Sequence, residues 1–483
     1  MTLSLKWRLR IQRTNLKKIL LGKFEELVKW SLQSHWSLQT RIEGYGIKMN
    51  LYHLGIDDTD SLKYGCTTYI AALLVEDLLK DSIFADYPNL IRFNPNIPWK
   101  SRGNAGICLR FYSPRTPSEI LDTALNYVEE WRDQSDEKNQ PGIILLRGEV
   151  PQFIKDFGKR ALFDVLAVEE AQTIAKISGA EWRSIRGGRG LIGALAAIGN
   201  TLEQDHTFEL IVYRNKDSWE KIRKVDFESV IKFDRETQPF TFNNVDYETK
   251  RILITPHGTD PILFGVRGEN PHILKRALEI IKFEGGERWI IYRTNQGTEA
   301  HFSQFRLIKD LRPYQAAVIE GTISRRPRVL KGGHVITTLR DDSGEIDIAG
   351  YEPSGGFRMV VRELVEGDKV RAFGGVRLLE DGRLTFNLEK LEVLKLVREK
   401  LTNPVCPNCH KKMKSEGKNK GYQCKKCGLK VKEPALIKVE RKINEGVYIP
   451  PPRSMRHLTK PLQRYGLEKK FWAGNLEIFY GRF

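Results

Sequence analysis

Two clusters in this 483-residue chain have the residue types and spacing to do chemistry. The first is Gly55-Ile56-Asp57-Asp58-Thr59-Asp60-Ser61, which sets three carboxylates within four residues at the end of an apolar stretch. Like charges this close raise one another's pKa unless a cation neutralises them. Mg2+ takes one or two carboxylates and fills its octahedron with water and substrate phosphates. Asp-rich turns that only bend or cap the chain have the same composition, so both readings stand. Gly65-Cys66-Thr67-Thr68 then opens a helical pattern, where unpaired N–H groups favour phosphate. Thr67 is either a reactive hydroxyl or a plain N-cap. Acidic ligands followed by a hydroxyl at a helix start is the equipment of phosphoryl transfer.

The second cluster is Cys406, Cys409, Cys424 and Cys427, two C-x-x-C pairs 14 residues apart. Four thiolates at this spacing close a tetrahedral structural zinc site; a redox C-x-x-C is the alternative. Lys411, Lys412, Lys414, Lys418, Lys420, Lys425 and Lys426 surround the pairs, and Tyr422 offers a stacking face. A charge run is usually a solvated surface, but on a metal knuckle beside a β-barrel it reads as a nucleic-acid grip.

Three loops carry weaker signals. Residues 94–104 combine Lys100 and Arg102 with a Pro/Gly-containing polar segment; a solvated loop has the same look. Gly187, Gly188, Arg189 and Gly190 precede a small-residue helix and resemble a phosphate cradle, without matching the Walker A or G-x-G-x-x-G pattern. Asp260, Arg267 and Glu269 flank the apolar residues 262–266, which read by themselves as a hairpin with surface charges.

These residues need elements to hold them. Residues 51–56 read as a strand and 66–80 as an amphipathic helix. Strands are expected at 107–112 and 142–146, with helices at 118–131, 161–178 and 191–202. A second α/β stretch runs from 208 to about 302, with strands at 208–213, 251–255 and 289–292 and a helix at 271–283. From 316 to 393 five strands alternate with Gly-rich turns, and a short helix at 357–364 separates the third from the fourth. That order fits a five-stranded OB-type barrel.

Composition agrees. With 40% hydrophobic and 10% aromatic residues the chain can build cores, which excludes wholesale disorder. No apolar run approaches ~18 residues, so no bilayer span and no membrane partner is expected. The net charge of +18 is uneven. Residues 1–48 have 10 Lys/Arg against 3 Asp/Glu and residues 401–483 have 19 against 6, leaving 50 against 52 between. A near-neutral body with a basic end suggests an enzyme carrying a polyanion-binding appendage. Few cysteines indicate a reducing, cytoplasmic setting, with Cys66 and Cys108 as buried thiols. Residues 1–48 read as a poorly ordered extension, with Met49 as a possible natural start.

In order along the chain, GIDDTDS…GCTTY at 55–69, RFNPNIPWKSRGN at 92–104, GRGLIGALAAIG at 188–199, QPFTFNNVDY at 238–247, PILFGVRGE at 261–269, the four cysteines and PPRSMRHLTKPL at 451–462 resemble the archaeal tRNA(Ile) 2-agmatinylcytidine synthetases. The resemblance spans 49–483 and omits 1–48. It implies a multidomain α+β protein: a kinase-like α/β catalytic domain at 49–205, interleaved with a ferredoxin-like domain at 206–308, an OB-fold at 309–397, and a zinc ribbon with a basic tail at 398–483. It implies ATP-dependent joining of agmatine to C2 of the wobble cytidine in tRNA(Ile) with a CAU anticodon, through phosphorylation of the C2 oxygen.

The site expectations follow. Asp57, Asp58 and Asp60 would hold Mg2+, and Thr67 would accept or relay phosphate. Gly65, Gly188, Arg189 and Gly190 would cradle ATP, and Lys100 and Arg102 would neutralise developing charge. Asp260 and Glu269 are candidates for agmatine, whose guanidinium and amine call for acidic partners. The lysines would grip tRNA around structural Zn2+. A lysine-conjugating synthetase is the nearest rival, but its S-G-G-x-D-S loop is absent. A purely binding OB/ribbon protein would gain nothing from the carboxylate cluster.

Overall fold

The computed structural model describes residues 49–61, 65–100, 102–417, 419–469, 471 and 476–483. The expected extension at 1–48 and Lys418 lie outside these. The chain divides into two compact units, one running to His301 and resuming over Arg456–Phe483, the other Phe302–Met455.

The first unit contains β1 (Asn50–Asp57), α1 (Thr67–Leu78), β2 (Ile83–Phe84), β3 (Asn89–Arg92), β4 (Ala105–Ser113), α2 (Pro117–Trp131), β5 (Gly142–Arg147), α3 (Gln152–Arg160), α4 (Val168–Ile177), β6 (Glu181–Ser184) and α5 (Gly190–Gly199). It continues with β7 (Thr207–Arg214), α6 (Phe227–Thr237), β8 (Thr241–Phe242), the small separate pair β9 (Val245–Asp246) and β10 (Arg251–Ile252), β11 (Ile262–Gly268), α7 (Pro271–Ile280) and β12 (Gly286–Thr294). An 11-stranded sheet runs β6-β5-β1-β4-β3-β12-β7-β11-β8, with β2 added to β4 and a C-terminal strand, Tyr480–Arg482, added to β12. The parallel β3–β12 pairing, Asn89 opposite Arg293, joins the two α/β stretches into one sheet.

Side-chain alternation along β1 decides what the unit can do. Tyr52, Leu54 and Ile56 enter the apolar core shared with α1 and α2. His53, Gly55 and Asp57 therefore point to the opposite face, where α5 lies. That helix lies very close: a Cβ on Gly55 would stand 2.2 Å from Ala194 O, and one on Gly142 would stand 2.1 Å from Leu191 N. At its other end Arg110 donates to Ile198 O at 2.9 Å and Asn200 O at 3.2 Å, a buried cation on the terminal carbonyls. The glycines thus serve backbone packing.

Three expectations change. The helix expected at 161–178 is interrupted, with α3 ending at Arg160 and α4 starting at Val168. Between them the Asp164 carboxylate accepts its neighbour Val165 N–H at 2.9 Å, a local bond that competes with helix. Residues 262–266 are an inner strand of the sheet: β11 pairs with β7 and β8. The strand expected at 251–255 shortens to β10, and α6 is an additional helix, capped by Asp226 on Ser229 N.

In the second unit β13 (Ala316–Val329), β14 (Val335–Arg340), β15 (Glu345–Gly350), β16 (Lys369–Leu378) and β17 (Leu384–Lys395) follow the order β15-β14-β13-β16-β17. A parallel β15–β17 pairing closes the barrel. The helix α8 (Gly356–Arg362) sits between the third and fourth strands, and the OB-type order holds. A three-stranded ribbon with Lys414–Ser415, Tyr422–Gln423 and Lys430–Val431 follows. The basic end does not stay with the ribbon: Arg456–Phe483 groups with the first unit. No helix among the described residues is long and apolar enough to cross a membrane.

Candidate active site

A cleft partly open to solvent, with about 140 Å³ of space inside it, lies where β1 ends. Its lining includes Asp57, Asp58, Asp60, Thr67, Lys100, Arg102 and Arg189, seven of the residues expected from sequence. The mixed acidic, basic and aromatic lining suits a charged ligand with a planar ring.

Each carboxylate has its own partner. Asp57 ends β1 facing α5, and its Oδ1 accepts Asp58 N–H at 2.6 Å. Burial, then the neighbouring Asp58 charge, pushes its carboxyl well above the ordinary range. Asp58 adopts a left-handed φ of 60°, a strained setting that Asp tolerates better than most residues. Its Oδ2 accepts from Arg189 Nη2 at 2.9 Å and Nε at 3.2 Å. Burial still raises its pKa to about 6 against the pull of Arg189. Asp60 turns the other way and caps α1 from outside: its Oδ1 accepts Thr67 N–H at 2.7 Å and the Thr67 hydroxyl at 3.1 Å.

That geometry answers the capping question for Thr67. The N-cap is Cys66, which makes no side-chain cap bond, and the Asp60 carboxylate does that work. The Thr67 hydroxyl, buried yet on the cleft wall, receives a bond from Thr59 Oγ1 at 2.9 Å and passes its own proton toward Asp60. Gly65 has φ +82°, and a Cβ there would meet Thr59 O at 2.6 Å, so the turn needs glycine. Gly188 and Gly190 do not line the cleft; Arg189, Ile192 and Gly193 do. Gly190 N–H is already tied to Gln140 O at 2.9 Å.

The two acids considered for agmatine are held by basic partners. Asp260 is buried between Arg223 at 2.8 Å and Arg102 at 3.2 Å. Glu269 is buried against Arg464 and Lys469, each at 2.5 Å. Neither lines the cleft. Asp164 does, with Phe93, Ile97 and Trp99, and none of these was singled out from sequence.

In the second unit the four cysteine sulfurs lie within 4.8 Å of one another. Backbone N–H groups of Cys427 and Lys426 push the Cys424 thiol down to about 6, while the hydrogen bond with Cys427 pushes Cys409 up to about 12, so without an ion the four sulfurs share their protons unequally. The donor set fits structural zinc. Among the described residues these cysteines are the group of three or more such ligands that converges; the carboxylates of Asp57, Asp58 and Asp60 do not. Lys411, Lys412, Lys414, Lys420, Lys425 and Lys426 are exposed around the knuckles, and Glu416 draws Lys425 (3.7 Å) and Lys430 (2.9 Å).

Comparison with known proteins adds independent findings. Four family models match: the TiaS TCKD domain over residues 53–187, the TiaS FLD domain over 188–301, the OB-fold nucleic acid binding domain over 317–394, and the TiaS C-terminal zinc ribbon domain over 403–443. The tRNA(Ile) 2-agmatinylcytidine synthetase TiaS of Methanocaldococcus jannaschii is 40% identical over 425 residues, covering 86% of this chain and 99% of that protein. The enzyme of the same name from Thermococcus sibiricus is 41% identical, covering 85% and 95%. The crystal structure of a TiaS–tRNA(Ile)–ATP complex superposes with a TM-score of 0.76 at 35% identity, covering 86% of this chain and 98% of that one. A TiaS–tRNA(Ile)–AMPCPP–agmatine complex gives 0.74 at 33% identity, covering 86% and 98%.

Proposed function

The chain belongs to the TiaS family of tRNA(Ile) 2-agmatinylcytidine synthetases, and on that premise we propose that it is an ATP-dependent ligase that joins agmatine to C2 of the wobble cytidine of tRNA(Ile) with a CAU anticodon. The C2 oxygen is a poor leaving group. Transfer of a phosphoryl group from ATP onto it makes displacement possible. The agmatine amine then attacks C2, the oxygen departs with the phosphate, and the amine gives up a proton to a base.

The observation that carries this reading is the convergence of Asp57, Asp58, Asp60, Thr67, Lys100, Arg102 and Arg189 on one cleft. Asp57 and Asp58 are half-buried neighbouring carboxylates on the cleft lining that share one guanidinium, a donor pair that fits Mg2+. Bound there, Mg2+ would neutralise phosphate charge. Asp60 is placed to take the Thr67 proton, so that Thr67 can accept or relay a phosphoryl group. Arg189 orients Asp58, while Lys100 and Arg102 bring positive charge to the same wall. Asp164 and Trp99, both on the cleft lining, offer an acidic and an aromatic surface for a cationic amine.

The OB barrel and the lysine-bearing ribbon would hold the tRNA, with structural zinc fixing the ribbon. Six thiols and no disulfide suit a cytoplasmic enzyme. Incubating the protein with ATP, labelled agmatine and a transcript of tRNA(Ile) with a CAU anticodon tests the whole reading. Label should enter the tRNA only when ATP is present and the wobble base is C. Absence of ATP-dependent incorporation sinks it.

A further inference from the structure

The C-terminal motif at 451–462 is not explained by zinc, by tRNA grip or by the cleft lining. Arg456 is the first residue of the chain to rejoin the first unit. Its backbone is locked in a short turn, with Arg456 N–H donating to Thr459 Oγ1 at 3.2 Å and Thr459 N–H to Arg456 O at 3.0 Å. The turn is docked: Gly297 N–H donates to His457 O and Glu299 N–H to Leu458 O, both at 2.8 Å. Leu458 and Thr459 are each 1% exposed. The guanidinium therefore projects from a fixed base.

It reaches the loop that supplies the cleft's basic wall. Arg456 Nη1 donates to Pro95 O at 3.0 Å, and the Lys100 ammonium donates to the same carbonyl. The foot of that loop is closed independently: Phe93 N–H bonds Asn104 O at 2.9 Å, Asn104 Nδ2 bonds Asn94 O at 3.0 Å, and Asn94 N–H bonds Ala161 O at 3.0 Å. The crown carrying Ile97, Trp99 and Lys100 is steadied at Pro95 by two cations, one of which also faces the cleft.

Two donors on one carbonyl have a consequence. An ammonium that leaves a carbonyl to meet a phosphate strands that carbonyl unless another donor remains. Arg456 is that donor. It is always charged and its backbone is fixed in the docked turn, whereas lysine is a flexible point charge. We infer that Arg456 is a positioning residue for Lys100: it holds the Pro95 carbonyl, so that Lys100 can turn to the anionic substrate without the loop losing its shape. This rests on the ligase reading above.

The test compares wild type, Arg456→Ala, Arg456→Lys, Lys100→Ala and the Arg456→Ala/Lys100→Ala double variant in ATP-dependent agmatine incorporation into the tRNA(Ile) transcript. Arg456→Ala should lower kcat/KM for ATP about ten- to hundred-fold, the scale of a misplaced charged group. Arg456→Lys, which restores one donor, should recover most of it. In the Lys100→Ala background the Arg456→Ala change should add little, because both act through the same ammonium. Midpoints of thermal unfolding should stay within a few degrees of wild type, unlike Arg464→Ala, which strips a fully buried guanidinium from Glu269 and Asp205. Wild-type kinetics in Arg456→Ala, or full additivity with Lys100→Ala, overturns the inference. An inactive wild type instead overturns the ligase reading.

Discussion

Asp57 Oδ2 fills the space where a side chain on Gly193 would stand, since a Cβ there would lie 1.7 Å from it. The carboxylate and the helix backbone are in contact because α5 has no side chain to keep them apart. Gly193→Ala must therefore displace either Asp57 or α5. Overpacking of this kind costs about 1–3 kcal/mol. We expect a modest drop in unfolding temperature but at least about a hundredfold loss of ATP consumption, with tRNA affinity within about twofold of wild type. A variant that keeps its ATP turnover would show that Asp57 needs no such seat.

Thr67→Val keeps the shape of the helix start and removes the hydroxyl that bonds Asp60. After incubation with ATP labelled at the γ-phosphate, the wild type should carry protein-bound label, and the valine variant none. Thr67→Ser should retain it. Label that persists on the valine variant would reduce Thr67 to part of the α1 start.

Replacing Cys406 and Cys409 by Ser should abolish bound zinc, read by elemental analysis, and collapse the lysine-bearing knuckles. Binding of tRNA should weaken and lose salt dependence, by about 0.7 log units per lost phosphate contact on the single-strand estimate. Residues 456–483 remain in this variant, which matters because that segment completes the first unit through the strand Tyr480–Arg482 and the Arg464 cluster. An unchanged salt slope would move the grip off the ribbon.

His53 sets a limit at acid pH. Its Nδ1 lies 2.9 Å from Arg110 Nη1 and its Nε2 lies 2.8 Å from Gly148 O, so the neutral ring is the form that fits. Burial first, then Arg110, lowers its pKa to about 3. In the unfolded chain it titrates near 6.5, so the unfolded state takes up the proton first. Stability is full above about 6.5 and falls as pH drops toward 3, by up to about 5 kcal/mol for this group. His206, also lowered to about 3 by burial, adds to the same limb. His53→Gln should flatten the fall in unfolding free energy between about pH 6.5 and 4; an unchanged pH profile would show that the ring is not held neutral.

Local spacing alone determined much of this protein. The cysteine pairs, the alternation of the barrel strands, and three carboxylates at the end of a strand depend on neighbours a few residues apart, and such patterns survive in one dimension. The cleft's charged members, Asp164 excepted, were legible for the same reason. Their roles and partners were not. Arg102 pairs with Asp260 across 158 residues and Arg464 with Glu269 across 195, and both acids had the composition of ligand sites until packing gave them arginines. Likewise 161–178 has a helical apolar period, yet Asp164 and its neighbours form the cleft wall. Gly187, Gly188 and Gly190 read as a phosphate cradle; in the fold a Cβ on Gly190 would stand 2.5 Å from Asp57 O, and it is Gly193, further along α5, that seats the Asp57 carboxylate. Buried charges need partners, and close-packed backbones need missing side chains. Which partner and which backbone is decided only when distant segments meet, so tertiary structure alone could show that Arg456–Phe483 return to the first unit.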